Sequence, residues 1–322
     1  MRKTLIFGNG LGMALDPHHF YLPNALQYIW NSDALDPNHR QLISACLPHQ
    51  PGNCPQSEDD LDKLHVAISS CEYLSAIPQI NNLHWLSQYG WDFPSVCRLF
   101  ITQVATYLYD FSNMLPEGFS SPLVNFIRTT KSHVATLNYD KLLYELFINN
   151  NVVNGFDGSL VDGITNAGFN STHLERKWKN NFGYYLHLHG SPLFKNKNGI
   201  IKKLPRFELN PQQPEPSSHI VLAHIRHKPA VISSSEILSS YWQHLCFSLS
   251  ESSEAILFGY SGLDKHLNEL LSVFSQRIQF KVVEWAGSGN YQQRQEFWRG
   301  ALRLRQNVNL IHEQNILNFQ QW

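Results

Sequence analysis

From residue 132 onward, short apolar runs recur with helical stretches between them, and most runs stop at a glycine or a polar side chain. The runs are SHVATLN, YYLHLH, PAVIS, EAILFGY, IQFKVVEW and NVNLIHE. Among the stretches between them are KLLYELFINN, EILSSYWQHLCFSLS, LDKHLNELLSVFSQ and YQQRQEFWRGALRLRQ. Strands that alternate with helices favour crossover connections, which build a mainly parallel sheet covered on both faces. KTLIFGNG, near the N-terminus, has the profile of a first buried strand ending in glycines.

The expected fold class is therefore α/β, a Rossmann-like doubly wound, mainly parallel sheet within a single domain, 1–322. A long strand-poor region, roughly residues 20–130, separates the first strand from the second and reads as a helical insertion. Within it Ser57 is placed to cap a helix carrying Leu61, Leu64 and Ile68 at helical spacing. Residues 93–114 repeat apolar positions three and four apart, which predicts a second long helix. The stretches 149–182 and 191–218 read as excursions from the sheet.

Composition narrows the function classes. The 322 residues are 43% hydrophobic, enough for a sizeable core, and 25 basic against 26 acidic residues leave a net charge of −1. No basic field is available for direct nucleic-acid or anionic-membrane binding. The five cysteines, Cys46, Cys54, Cys71, Cys97 and Cys246, form no C-x-x-C pair, so neither a disulfide framework nor a four-cysteine zinc site is expected. The apolar run of MRKTLIFGNG is too short for a signal peptide, and no stretch approaches a membrane span. A soluble, cytoplasmic protein is expected.

In open parallel sheets ligands bind beyond the carboxyl ends of the strands, so those ends are where chemistry is sought. The first strand ends in GNGLG, where Gly8, Asn9 and Gly10 form a turn whose amides can receive a pyrophosphate, although the spacing is not that of the dinucleotide fingerprint. The second ends in Asn138, which shares a strand face with Val134 and Thr136 and can both donate and accept. Asp140, two residues on, reads first as a cap of the next helix. In YYLHLHG, His189 holds the terminal position before Gly190, where an imidazole serves as a general base near neutral pH. His187 lies one step deeper and reads as a hydrogen-bonded core histidine. A metal reading of H-x-H lacks a third ligand, so no metal is expected. In ILFGYSGLD, Gly259 and Ser261 are placed to take the adenosine end of a nucleotide, and Asp264 to cap a helix.

These segments, in this order, resemble the sirtuin fold, and more closely the sirtuin-like NAD-hydrolases of bacterial antiphage defence. The resemblance rests on FGNGLG, on T-x-N-Y-D at Thr136 to Asp140, on H-x-H-G at His187 to Gly190, and on the element from Gly259 to Asn268. It implies that NAD is a substrate and that Asn138 and His189 are the residues on which its cleavage depends. Asn138 would position a water or the nicotinamide ribose, and His189 would accept a proton. Gly8, Asn9, Gly10, Asp140, Gly190, Gly259 and Ser261 would line the dinucleotide. Two departures stand out. Gly12 occupies a position where many relatives place serine, which puts one ribose or phosphate contact in question. The zinc module of protein-deacetylating sirtuins is missing, which argues against deacetylation.

The function so implied is an NAD glycohydrolase releasing nicotinamide and ADP-ribose, an NAD-depleting effector of antiphage abortive infection. Its restraint would fall to a regulatory partner, of which the family offers a HerA-type ATPase, a short Argonaute or a nucleotide-binding subunit, or to a homo-oligomer. The competing readings are a non-catalytic module sensing NAD or ADP-ribose, a zinc-free deacylase or ADP-ribosyltransferase, and a dehydrogenase.

Overall fold

The computed structural model describes residues 2–33, 35–47, 52–177, 180–209, 216–222 and 228–322. Eleven strands are defined within them: β1 (Thr4–Phe7), β2 (His133–Thr136), β3 (Leu160–Val161), β4 (Ile164–Thr165), β5 (Gly168–Phe169), β6 (Gly183–His187), β7 (Phe194–Lys197), β8 (Ile200–Lys203), β9 (Glu254–Phe258), β10 (Gln279–Trp285) and β11 (Asn309–Glu313). Seven of them form one sheet in the order β11-β10-β9-β1-β2-β6-β3, and every adjacent pair is parallel. The architecture is α/β and Rossmann-like: from β1 the chain builds outward through β2, then returns to the other side of β1 with β9 and continues through β10 to β11. The direction of winding reverses between β1 and β9, and their carboxyl ends define the switch-point crevice.

The central strands are buried along their whole length, as strands covered on both faces must be. All four residues of β1 and of β2 and all five of β6 are buried. One face carries a cluster of rings in which Phe258 packs against Phe7, Phe119, Phe319 and Trp322. Trp322 also meets Phe7 and Phe119, so the C-terminal residues close the core beneath β1 and β9.

The chain between β1 and β2 is helical. Its longest helices are Glu58–Ser75 and Gln88–Tyr109. The first begins where Ser57 accepts the Asp60 amide, with Glu58, Asp59 and Asp60 favourably placed against the helix dipole and Leu61, Leu64 and Ile68 buried. The second starts one turn earlier than its apolar period suggests, because Ser87 caps it through the Gly90 amide, and it stops at Tyr109 rather than running to 114.

Two other expectations are corrected. The run PAVIS is not a strand but lies in the helix Lys228–Ser234, where Pro229 is tolerated in the first turn and Ile232 is the buried apolar residue. A run this short cannot distinguish helix from strand by period, whereas a proline argues against a central strand. The stretch 149–182 is not wholly an excursion, since it contributes β3 to the edge of the main sheet beside β6. It also holds the small antiparallel pair β4–β5, while 191–218 holds the pair β7–β8. Among the described residues no helix is long and apolar enough to cross a membrane.

The ring cluster makes Phe258 a stringent test of this packing. Phe258→Ala should lower unfolding free energy by about 3–5 kcal/mol, read from the urea midpoint. A loss below about 1 kcal/mol would contradict the packing described.

Candidate functional site

The glycine turns after β1 and β9 are pressed together backbone to backbone. The Gly8 amide donates to the Phe258 carbonyl at 2.9 Å, and the Gly10 amide to the Gly259 carbonyl at 2.8 Å. A Cβ on Gly8 would lie 2.7 Å from the Gly259 carbonyl oxygen, and one on Gly10 would lie 2.6 Å from it. Gly259, at φ +59°, donates its own amide to the Val283 carbonyl at 2.9 Å. The amides of Gly8, Gly10 and Gly259 are therefore committed to other carbonyls, and these glycines hold the floor of the crevice rather than offering free donors. Asn9 turns away and donates from its side chain to the Phe20 carbonyl at 2.8 Å. Gly12 is explained by packing as well, because a Cβ there would fall 2.6 Å from the Phe20 ring. Ser261 is exposed beside the crevice, its hydroxyl accepting the Leu263 amide.

Asn138 and His189 leave adjacent strands. Thr136 of β2 is in register with His187 of β6, so Asn138 and His189 each stand two residues beyond a paired position at neighbouring strand ends. The Asn138 amide nitrogen donates to the Gly8 carbonyl at 3.1 Å, tying the end of β2 to the glycine turn. Its Oδ1 is buried without a hydrogen-bond partner among the described residues. An orphaned acceptor at a strand end has the chemistry to receive a hydroxyl or water proton.

Asp140 accepts the Leu142 amide through Oδ1 at 3.0 Å, the capping contact that its position predicts, while Oδ2 has no partner among the described residues. Burial pushes its carboxyl up to about 6, against the smaller downward pull of the Leu142 amide and the Asn138 side chain. Tyr139, between them, donates to the Val221 carbonyl at 2.5 Å and places its ring 6.4 Å from that of His189.

His189 donates from Nε2 to Asp264 Oδ2 at 3.1 Å. The same oxygen receives Lys228 Nζ at 3.0 Å, and Lys228 is also 3.3 Å from Glu58 Oε2. Asp264 Oδ1 caps the helix Lys265–Val273 through the Leu267 amide at 3.1 Å. Burial alone would raise the Asp264 carboxyl, but the hydrogen bonds and charges of His189 and Lys228 hold it well below the usual carboxylate range. Over this group passes the segment 219–222. Ile220 bridges to Gly190, and the Val221 amide donates to the His189 carbonyl at 2.9 Å. Gly190 sits at φ +83°, and a Cβ there would come within 1.7 Å of the His219 carbonyl oxygen, so the glycine after the histidine exists to admit this segment. Asn138 and His189 are both only 6% exposed beneath it.

His187 faces away from this group. It is ringed by Tyr144, Tyr185 and Phe194, and burial drives its imidazole down to about 3, so it is neutral. Its Nδ1 lacks a partner among the described residues, and its burial agrees with the core position expected of it. Nearby, Asp162 accepts Lys203 Nζ at 2.6 Å and the Tyr144 hydroxyl at 3.1 Å. On the other side of the crevice Glu284, at the end of β10, accepts from Arg294, His312 and Trp298. Among the described residues no three His, Cys, Asp or Glu side chains gather as metal ligands do.

Sequence reasoning singled out Asn138 and His189 and read Asp264 as a helix cap, but it missed Lys228, Glu58 and the partnership of Asp264 with His189. The basic run ending at Lys228 was the available signal; nothing in it says that the ammonium is buried against a carboxylate. The chain matches no protein-family model, and no curated protein matches it.

Asp140 yields a prediction whose sign is set by burial. A carboxyl whose folded value is raised keeps its proton in the native state while the unfolded chain loses it, so native stability falls as pH rises from about 4 to about 6. Asp140→Asn retains the acceptor for the Leu142 amide and removes the ionisation. It should leave stability nearly unchanged at about pH 4 and raise it by about 1–2 kcal/mol at about pH 8, read by denaturant titration. A loss of stability at the higher pH would show that the ionised carboxylate is the favoured native form.

Proposed function

We propose that the chain is an NAD glycohydrolase of sirtuin-like type, cleaving NAD to nicotinamide and ADP-ribose, with Asn138 and His189 at the reacting centre. The observation that carries this reading is the meeting, beside the switch point, of an orphaned Asn138 Oδ1 and a carboxylate-paired His189 on neighbouring strand ends. On this reading the nicotinamidium is already a good leaving group. The chain's work is to hold the ribose, favour its oxocarbenium character and direct one water. The bond from C1′ to the pyridinium nitrogen breaks, the water oxygen bonds to C1′, and the water proton passes to His189 and then to solvent. Asn138 Oδ1 orients the water or the ribose hydroxyl. The glycines at 8, 10 and 259 serve by smallness, since a side chain at any of them would push the strand ends apart.

NAD is the substrate, and no metal enters this chemistry. Because both residues lie beneath the segment 219–222, a dinucleotide reaches them only when that segment gives way. A regulated effector has a use for such an arrangement: a partner, whether a HerA-type ATPase, a short Argonaute, a nucleotide-binding subunit or another copy of the chain, would supply the displacement. The same burial, together with the committed glycine amides, also suits a module that senses NAD or ADP-ribose without cleaving it.

The deciding experiment follows NAD with nicotinamide and ADP-ribose resolved, in wild type, Asn138→Ala and His189→Ala. Turnover should fall by at least about 100-fold in each variant with melting little changed. Normal turnover in both would refute the site. Tight NAD binding without turnover in wild type would favour the sensing module.

A further inference from the structure

Lys228 is only 2% exposed, yet it carries an ammonium group whose described partners are two carboxylates. A buried charge of this kind is costly unless paired, so its placement against Asp264 calls for an account. The geometry is specific: Asp264 Oδ2 is shared between His189 Nε2 at 3.1 Å and Lys228 Nζ at 3.0 Å, while Oδ1 is taken by the Leu267 amide.

A buried carboxylate beside an imidazole favours the doubly protonated ring, and an imidazolium cannot accept another proton. An ammonium group on the same oxygen offsets that pull. The remaining neighbours of the ring do not replace it. Tyr139 is driven well above its ordinary value, first by burial and further by Glu58 and Asp264, so it stays neutral. His266 is lowered chiefly by burial. Asp264, Lys228 and, one step away, Glu58 are then the charges that set the state of the ring.

We propose that Lys228 is a positioning residue that neutralises Asp264 on the oxygen it shares with His189. It thereby keeps His189 a neutral imidazole with Nε2–H on Asp264 and Nδ1 as the proton-accepting nitrogen. What the ring then does rests on the NAD-cleaving reading; its charge state and tautomer do not. Glu58 opens the helix Glu58–Ser75, so the helical region between β1 and β2 has a direct hold on this balance through Lys228.

The test combines nitrogen-15 spectra of histidine-labelled protein, taken between about pH 5 and 8, with the pH dependence of NAD turnover. In Lys228→Met the His189 resonances should shift toward imidazolium, and the low-pH limb of turnover should move up by about one unit. Lys228→Arg should restore both. Asp264→Asn keeps the Leu267 cap but removes the anion, so ring and limb should move the opposite way. A Lys228→Met ring indistinguishable from wild type, or moving in the same direction as Asp264→Asn, overturns the proposal. Should Lys228→Met fail to fold, Asp264→Asn decides: a ring that resists protonation further supports the proposal, and one that protonates as in wild type overturns it. The spectra need no turnover. A chain that cleaves no NAD but shows the opposed shifts loses the functional reading and keeps this one.

Discussion

The close approach of two backbones, at the turns after β1 and β9, sets the terms for the rest of the molecule. With Gly8 and Gly10 facing Gly259, the two strands at the reversal of winding can stay hydrogen-bonded past their last paired residues. The candidate site residues are placed relative to that floor. Asn138 reaches it through the Gly8 carbonyl, and His189 stands beside Asn138 because β2 and β6 are in register. Asp264 arrives on the loop that leaves Gly259. A side chain at any of the three glycines would displace not one contact but the relative height of four strand ends.

How far this was legible in the sequence depended on the range of the interaction. Alternation along a strand is local, so Asn138 and His189 could be placed at strand ends from their own neighbours, and Asp264 could be read as a cap from the helix it precedes. Interactions that close across the chain were not legible. Lys228 and Asp264 are 36 positions apart, and nothing local marks the lysine as buried. The glycines illustrate a subtler failure. Their positions were read, but as donors for a ligand, whereas their amides are spent on the opposing backbone and their value is the absence of a Cβ. Sequence pattern shows that a backbone comes close to something, not what it comes close to. PAVIS failed for the opposite reason: five apolar-leaning residues contain too little period to separate helix from strand, and the proline was the better guide.

Three buried or half-buried charge sets punctuate the carboxyl edge of the sheet: Asp264 with Lys228, Asp162 with Lys203, and Glu284 with Arg294. Each pairs a carboxylate just beyond or at a strand end with a cation from another element. Such pairs add little net stability once desolvation is counted, but breaking one strands a charge in a poor solvent. Their effect is to make the positions of the covering loops and helices all-or-none. The sheet supplies the mass of the core, and the pairs supply its registry.

The segment at 219–222 has one more implication. Its bridge from Ile220 to Gly190 and its bond from Val221 to the His189 carbonyl are strand-like pairings, which lay it across the end of β6 as a short strand would lie. A side-chain lid can yield by degrees, through rotamers. A backbone pairing has discrete registers and must be either made or broken, so uncovering His189 is a step between two arrangements rather than a graded widening. The same peptide that covers the residue thus also fixes its carbonyl.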